Sequence, residues 1–153
     1  MRVLFVCLGN ICRSPMAEAV FAHKVREAGL EDKIFTDSAG TGNWHAGKLP
    51  HNGTLKVLAR HAIPTTHLAR QITLADLNEF DYILTMDDQN YFDVTTLGKS
   101  SAMIVRLLDF APESGICEVP DPFFTGGFEG VYELVDVATD GLLAELQSEI
   151  LYR

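Results

Sequence analysis

The sequence is poor in cysteine, in positive charge and in long apolar runs. Its three cysteines stand at 7, 12 and 117, with no Cys-x-x-Cys pair. That count excludes a disulfide framework and points to a reducing compartment, the cytoplasm. Lys and Arg number 12 against 21 Asp and Glu, a formal net charge of −9. Nucleic-acid binding needs clustered cations to replace counterions, so that class is excluded. Any anionic ligand must instead be caught by a local concentration of positive potential. The opening apolar run is too short for a signal peptide or a membrane span, and Gly9-Asn10 ends it. The histidines and cysteines have no zinc-ligand spacing, so neither metal nor other cofactor is expected. No paired-carboxylate or serine-elbow pattern stands out. Gly42 to Lys48 approaches a nucleotide-binding pattern, but Leu49 stands where a hydroxyl would have to reach Mg²⁺.

With repeats, linkers and low-complexity segments also absent, 153 residues at 47% hydrophobic content fit a single domain over 1–153. Val3 to Val6 is a β-branched and aromatic run, the mark of a strand buried on both faces. Ser14-Pro15 reads as N-cap and first position of a helix. Ala17, Phe21, Val25 and Ala28 give that helix its apolar stripe, and Gly29 stops it. Further strands are expected at Lys33 to Asp37, Phe80 to Thr85 and Met103 to Leu107. Helices are expected at Pro50 to His61, from Asp87 onward, and at Glu129 to Leu151. Ser38 to Asn43 and Pro120 to Gly130 read as loops. Alternating strands and helices imply an α/β fold, a doubly wound parallel sheet. Ligands bind such sheets beyond the carboxyl ends of the strands. The loops after Val6, Asp37, Thr85 and Leu107 therefore matter most.

The loop after Val6 reads Cys7-Leu8-Gly9-Asn10-Ile11-Cys12-Arg13-Ser14, a cysteine, five residues, then Arg-Ser. A cysteine is nucleophilic as its thiolate, and a helix N-terminus and a guanidinium both favour that anion. Five residues can curl so that backbone N–H groups converge on a phosphate. Gly9 and Asn10 tolerate the backbone angles this needs. Arg13 can hold two phosphate oxygens in a fork and meet the charge of the transition state. Ser14 can give its hydroxyl proton to the Cys7 sulfur when that sulfur leaves. The alternative is a structural strand-to-helix turn around a buried cysteine.

At this point the sequence resembles the low-molecular-weight protein tyrosine phosphatase family. The stretch Val6 to Pro15 matches the family's opening motif. The resemblance recurs at Asp37 to Trp44, at Met86-Asp87 with Asn90, and at Asp121 to Phe124. It implies a four-stranded parallel sheet flanked by helices, a flavodoxin-like phosphatase fold. It also implies hydrolysis of phosphotyrosine, and of small aryl phosphates in the manner of an acid phosphatase. By resemblance, Cys7 is the nucleophile, Arg13 the phosphate ligand and Asp121 the general acid and base. Leu8, Gly9, Asn10, Ile11, Cys12 and Ser14 form the binding loop, supported by Ser38 and His67. Leu8, Trp44, Phe123 and Phe124 match the walls of a slot for the tyrosine ring. Expected partners are phosphotyrosine proteins and phosphate or another oxyanion, with no nucleic acid and no membrane.

Several residues keep two readings. Asp121 suits a proton donor to a phenolate, with Pro122 stiffening its backbone, or is a turn aspartate before proline. Asp87 supports the loop or caps a helix. Trp44, the one tryptophan, stands among Gly, Asn and His, which favours a ligand wall over the core. Cys12 shields Cys7 from irreversible oxidation, as the equivalent pair does in relatives through a reversible disulfide, or is a packing residue. Cys117 reads as structural or surface. Many relatives carry tyrosines, some phosphorylated, where Phe123 and Phe124 stand; stacking needs no hydroxyl. Rival readings on the same fold are an arsenate reductase, a protein arginine phosphatase and a non-catalytic phosphate-binding module. The first needs further cysteines, in a segment where Cys117 stands alone. The second tends to carry Thr at the place of Ile11. Intact Cys7, Arg13 and Asp121 speak against the third.

Overall fold

The first strand, β1 (Arg2–Cys7), sets the architecture because its side chains are buried on both faces. In the computed structural model, which describes residues 1–152, Val3 and Phe5 enter one apolar cluster and Leu4 and Val6 another. A strand apolar on both sides needs cover on both sides, hence a parallel sheet between helical layers. β2 (Phe35–Gly40) pairs with β1 in parallel, Arg2 opposite Phe35 and Cys7 opposite Gly40. β3 (Tyr82–Thr85) pairs with the other edge of β1, and β4 (Met103–Arg106) with β3, again in parallel. The strand order is β2-β1-β3-β4. The expected four-stranded parallel sheet is therefore present.

The chain runs from β1 outward to β2, then returns past β1 to β3. Right-handed crossovers on the two sides of that reversal put their helices on opposite faces. On one face lie α1 (Arg13–Glu27), α2 (Asn52–Arg60) and the long C-terminal helix. On the other, Leu77 of α3 (Asp76–Glu79) and Val94 of α4 (Asp88–Thr95) cover Leu4, Val6 and Ile83. A four-residue helix, α5 (Pro122–Thr125), precedes the C-terminal α6 (Phe128–Leu151). Phe5 of β1 meets Phe21 of α1 edge to face at 5.7 Å. Burying each such ring is worth roughly 1.5–3 kcal/mol. Lys24 of α1 ties to α6 through Asp136 and Asp140, each at 2.8 Å. Among the described residues no helix is long and apolar enough to cross a membrane.

Four details differ from the sequence reading. Ser38 to Gly40 are strand rather than loop, because they complete the pairing opposite Phe5 to Cys7. Gly40 fits there for lack of a side chain: a Cβ would lie 2.8 Å from the Leu8 carbonyl oxygen. α1 begins at Arg13 with Cys12 at its N-cap, and Ser14 is no cap. The Ser14 hydroxyl is engaged with Cys7 and Asn10 instead. The Pro- and Gly-rich stretch after Pro120 holds α5, capped by Asp121. The four residues of α3 are too few to carry an apolar period.

Candidate active site

β1 delivers Cys7 to the point where the winding reverses, and the chain turns there into α1. Ligand sites of open α/β sheets lie at such switch points. Asn10 takes a left-handed conformation at φ 57°, which Asn tolerates better than most side chains. The turn aims the Asn10 N–H at Cys7 Sγ, 3.3 Å away. Ser14 Oγ lies 3.0 Å from the same sulfur.

The Asn10 side chain holds the loop from beneath. Its Oδ1 accepts from the backbone N–H of Arg70 at 2.9 Å, which fixes the amide's orientation. Its Nδ2 then donates to Ser14 Oγ at 2.8 Å and Ser38 Oγ at 3.0 Å. His67 Nε2 lies 2.7 Å from Oδ1 and so carries the hydrogen. Behind it, His67 Nδ1 faces Glu18 Oε1 at 3.2 Å, and Ser38 donates to the same oxygen at 2.7 Å. Burial, reinforced by Asp37, pushes the Glu18 carboxyl up to about 7. Burial lowers His67 below its ordinary value. Both directions favour the neutral forms, with one proton between the two side chains.

Arg13 is 3% exposed and its guanidinium reaches three distant segments. Nη1 donates to Asp87 Oδ2 at 2.7 Å and to the Val119 carbonyl at 3.0 Å. Nη2 lies 3.6 Å from Asp121 Oδ2. Burial works against its charge, but Cys7, Asp87 and Asp121 outweigh it and hold the guanidinium above its ordinary value. Asp87 also caps α4 by accepting from the Asn90 N–H at 2.8 Å. Asp121 caps α5 through Oδ1, leaving Oδ2 toward Arg13.

Over the loop opens a cavity of about 210 Å³. Cys7, Gly9, Cys12 and Arg13 line it beside Asp121; Leu8 and Ile11 meet Trp44, Phe123 and Phe124 across it. Such a slot suits a flat apolar ring attached to an anion. Trp44 is 66% exposed and Phe124 81%, so neither belongs to the core. The side chains of Asn10 and Ser14, both expected among the binding residues, are buried and joined to each other beneath the loop. Cys12 is buried, and burial followed by Cys7 and Asp121 pushes its thiol up to about 12. Cys117 is exposed.

Sequence reasoning did not find Glu18, Arg70 or His45. Glu18 sits inside an ordinary helical stretch, and its role depends on His67, 49 residues further along. The side chain of Arg70 joins Asp37 and Asp76, and only its backbone N–H reaches Asn10. His45 follows Trp44 and lines the cavity, with its ring 6.0 Å from that of Phe123.

The family model for low molecular weight phosphotyrosine protein phosphatase matches residues 2–151. The low molecular weight protein-tyrosine-phosphatase YfkJ of Bacillus subtilis is 49% identical over 150 residues, covering 96% of each chain. The crystal structure of YfkJ superposes with a TM-score of 0.94 at 48% identity, over 97% of this chain and 96% of that one. A Drosophila arginine phosphatase, DARP, superposes at 0.89 with 32% identity, over 95% and 98%.

Proposed function

Because the chain belongs to the low-molecular-weight protein-tyrosine-phosphatase family and hydrolyses phosphotyrosine, we propose how its residues share that reaction. Cys7 attacks as thiolate. A Cys7 S–P bond forms while the bond from phosphorus to the phenol oxygen breaks. Arg13 and the loop N–H groups hold the equatorial oxygens and meet the charge of the transition state. Asp121, as the carboxylic acid, gives its proton to the departing phenolate. In the second step Asp121, now carboxylate, takes a proton from water as the water oxygen attacks phosphorus. The S–P bond breaks, and Cys7 leaves as thiolate with the Ser14 hydroxyl donating to it.

One observation carries this reading. The Cys7 sulfur meets the Asn10 N–H and the Ser14 hydroxyl, and Arg13 stands six residues on beside Asp121. The aromatic slot supports an aryl phosphate, and Ile11 supplies apolar surface to it. Ile11 is also what favours phosphotyrosine over phosphoarginine as substrate. The intended partners are phosphotyrosine-bearing proteins, in the cytoplasm, where three unpaired cysteines stay reduced. Hydrolysis of p-nitrophenyl phosphate in EDTA tests the mechanism. Wild type turns over and Cys7→Ser does not, while keeping its fold; activity that survives the substitution overturns the assignment. A faster rate on phosphoarginine than on phosphotyrosine would overturn the substrate assignment.

A further inference from the structure

The cavity lies between two stretches of opposite charge. Residues 38–75 contain four Lys or Arg and four of the five histidines, with no Asp or Glu. Residues 107–152 contain ten Asp or Glu and no Lys, Arg or His. Trp44 and His45 come to the cavity from the first stretch; Asp121, Phe123 and Phe124 come from the second.

Of the four Lys and Arg in the first stretch, the two arginines are engaged, while Lys56 lies on α2, outside the loop that borders the cavity. Arg60 pairs with Glu129, and Arg70 with Asp37 and Asp76. Lys48 is exposed and, among the described residues, makes neither ion pair nor side-chain hydrogen bond. His45 lines the cavity and, among the described residues, its ring nitrogens make no hydrogen bond. Both sit on a short loop fastened to the catalytic floor. Gly47 N–H donates to the Ala69 carbonyl at 2.7 Å, Ala69 N–H to the Lys48 carbonyl at 2.9 Å, and His51 N–H to the Ile11 carbonyl at 2.7 Å. The backbone that carries Lys48 is thus fixed relative to the cavity.

We propose that the loop from Trp44 to His51 selects phosphotyrosine segments carrying acidic residues on one flank of the phosphotyrosine. This rests on the phosphotyrosine reading above and adds the class of peptide. A chain of net charge −9 repels acidic segments at long range. The carboxylate-free loop is where such a segment meets free donors and a free ammonium. The facing stretch, with no cation, repels acids on the opposite flank. The selection is therefore directional along the peptide.

Two phosphotyrosine peptide series test this, with Glu or Lys at three positions on the N-terminal flank in one and the C-terminal flank in the other. In one series kcat/KM is higher for Glu than for Lys at low ionic strength. An exposed charge pair predicts roughly a two- to fivefold ratio. Lys48→Glu lowers that ratio by a similar factor, and added salt shrinks it. Lys33→Glu makes the same change in net charge just before β2, at the opposite end of the sheet, and leaves the ratio alone. An equal ratio in wild type and Lys48→Glu, an equal shift with Lys33→Glu, or an acid preference on both flanks overturns the proposal. Turnover of free phosphotyrosine separates the two readings. If wild type lacks it, the phosphatase mechanism fails and this proposal with it. If it is present and unchanged in Lys48→Glu, a failed flank preference sinks this proposal alone.

Discussion

The side-chain nitrogen of Asn10 donates to the Ser14 hydroxyl at 2.8 Å, which leaves the hydroxyl's own hydrogen for Cys7 Sγ, 3.0 Å away. A proton so directed matters most when sulfur leaves phosphorus. Ser14→Ala is therefore expected to slow the second step. A hydrogen bond to a charged atom is worth about 1.5–3 kcal/mol, or roughly 10- to 100-fold in rate. With p-nitrophenyl phosphate the variant shows a burst of nitrophenol followed by slow turnover. A loss confined to the burst phase would remove Ser14 from the leaving-group role.

Asp121→Asn is expected to slow the first step by roughly 10²–10⁴-fold, the range for general acid–base catalysis. The loss falls on substrates with basic leaving groups and shrinks for acidic phenols, whose departure needs no proton. A series of aryl phosphates reads this as a steeper dependence on leaving-group acidity. Equal losses along the series would take the acid's part away from Asp121.

Glu18 gives the fold a pH dependence of definite sign. Its carboxyl is raised from 4.5 to about 7 by burial, so the folded state prefers it protonated. Its contribution to stability is full below pH 4.5 and is lost as pH rises through about 7. His67, lowered by burial, acts in the opposite sense and loses its contribution as pH falls below its ordinary value of 6.5. Glu18→Gln isolates the first contribution. Urea midpoints of wild type decline between pH 5 and 8 relative to those of the variant, by at most about 3 kcal/mol in free energy. Parallel curves would mean that Glu18 titrates as an exposed carboxylate does.

Cys12→Ser tests the proposal that Cys12 captures oxidised Cys7. After brief peroxide treatment, wild type is expected to recover with thiol and the variant to recover far less. With its thiol pushed up to about 12, by burial first and then by the charges of Cys7 and Asp121, Cys12 attacks slowly. Oxidation of Cys7 removes the first of those charges. Equal recovery of the two proteins would return Cys12 to a packing role.

The architecture was legible because β1 is apolar at every position from Val3 to Val6, and a strand of that kind has few alternatives to a parallel sheet. Arg13 and Cys7 were legible because loop and helix start are contiguous in sequence. Glu18 and Arg70 were not, because Glu18 meets His67, 49 positions on, Arg70 meets Asn10 across 60, and both depend on how α1 and the segment before α3 come together. The extension of β2 through Ser38 to Gly40 was missed for a related reason. Ser-Ala-Gly has the composition of a loop, and only pairing against Phe5 to Cys7 makes it strand. Asp121 was singled out through the family resemblance carried by Asp121 to Phe124, while its 3.6 Å approach to Arg13 had no local signal.

Arg13 joins the turn after β1 to the cap of α4, to Val119 and to the acid-bearing segment before α5. In the proposed mechanism one guanidinium thus sets both the grip on the phosphoryl group and the place from which a proton reaches the leaving oxygen. Shortening or neutralising it disturbs the two functions at once, so losses from Arg13→Ala and Asp121→Asn do not multiply in the double variant. The segment that bears Asp121 cannot shift without also moving a neighbour of this arginine.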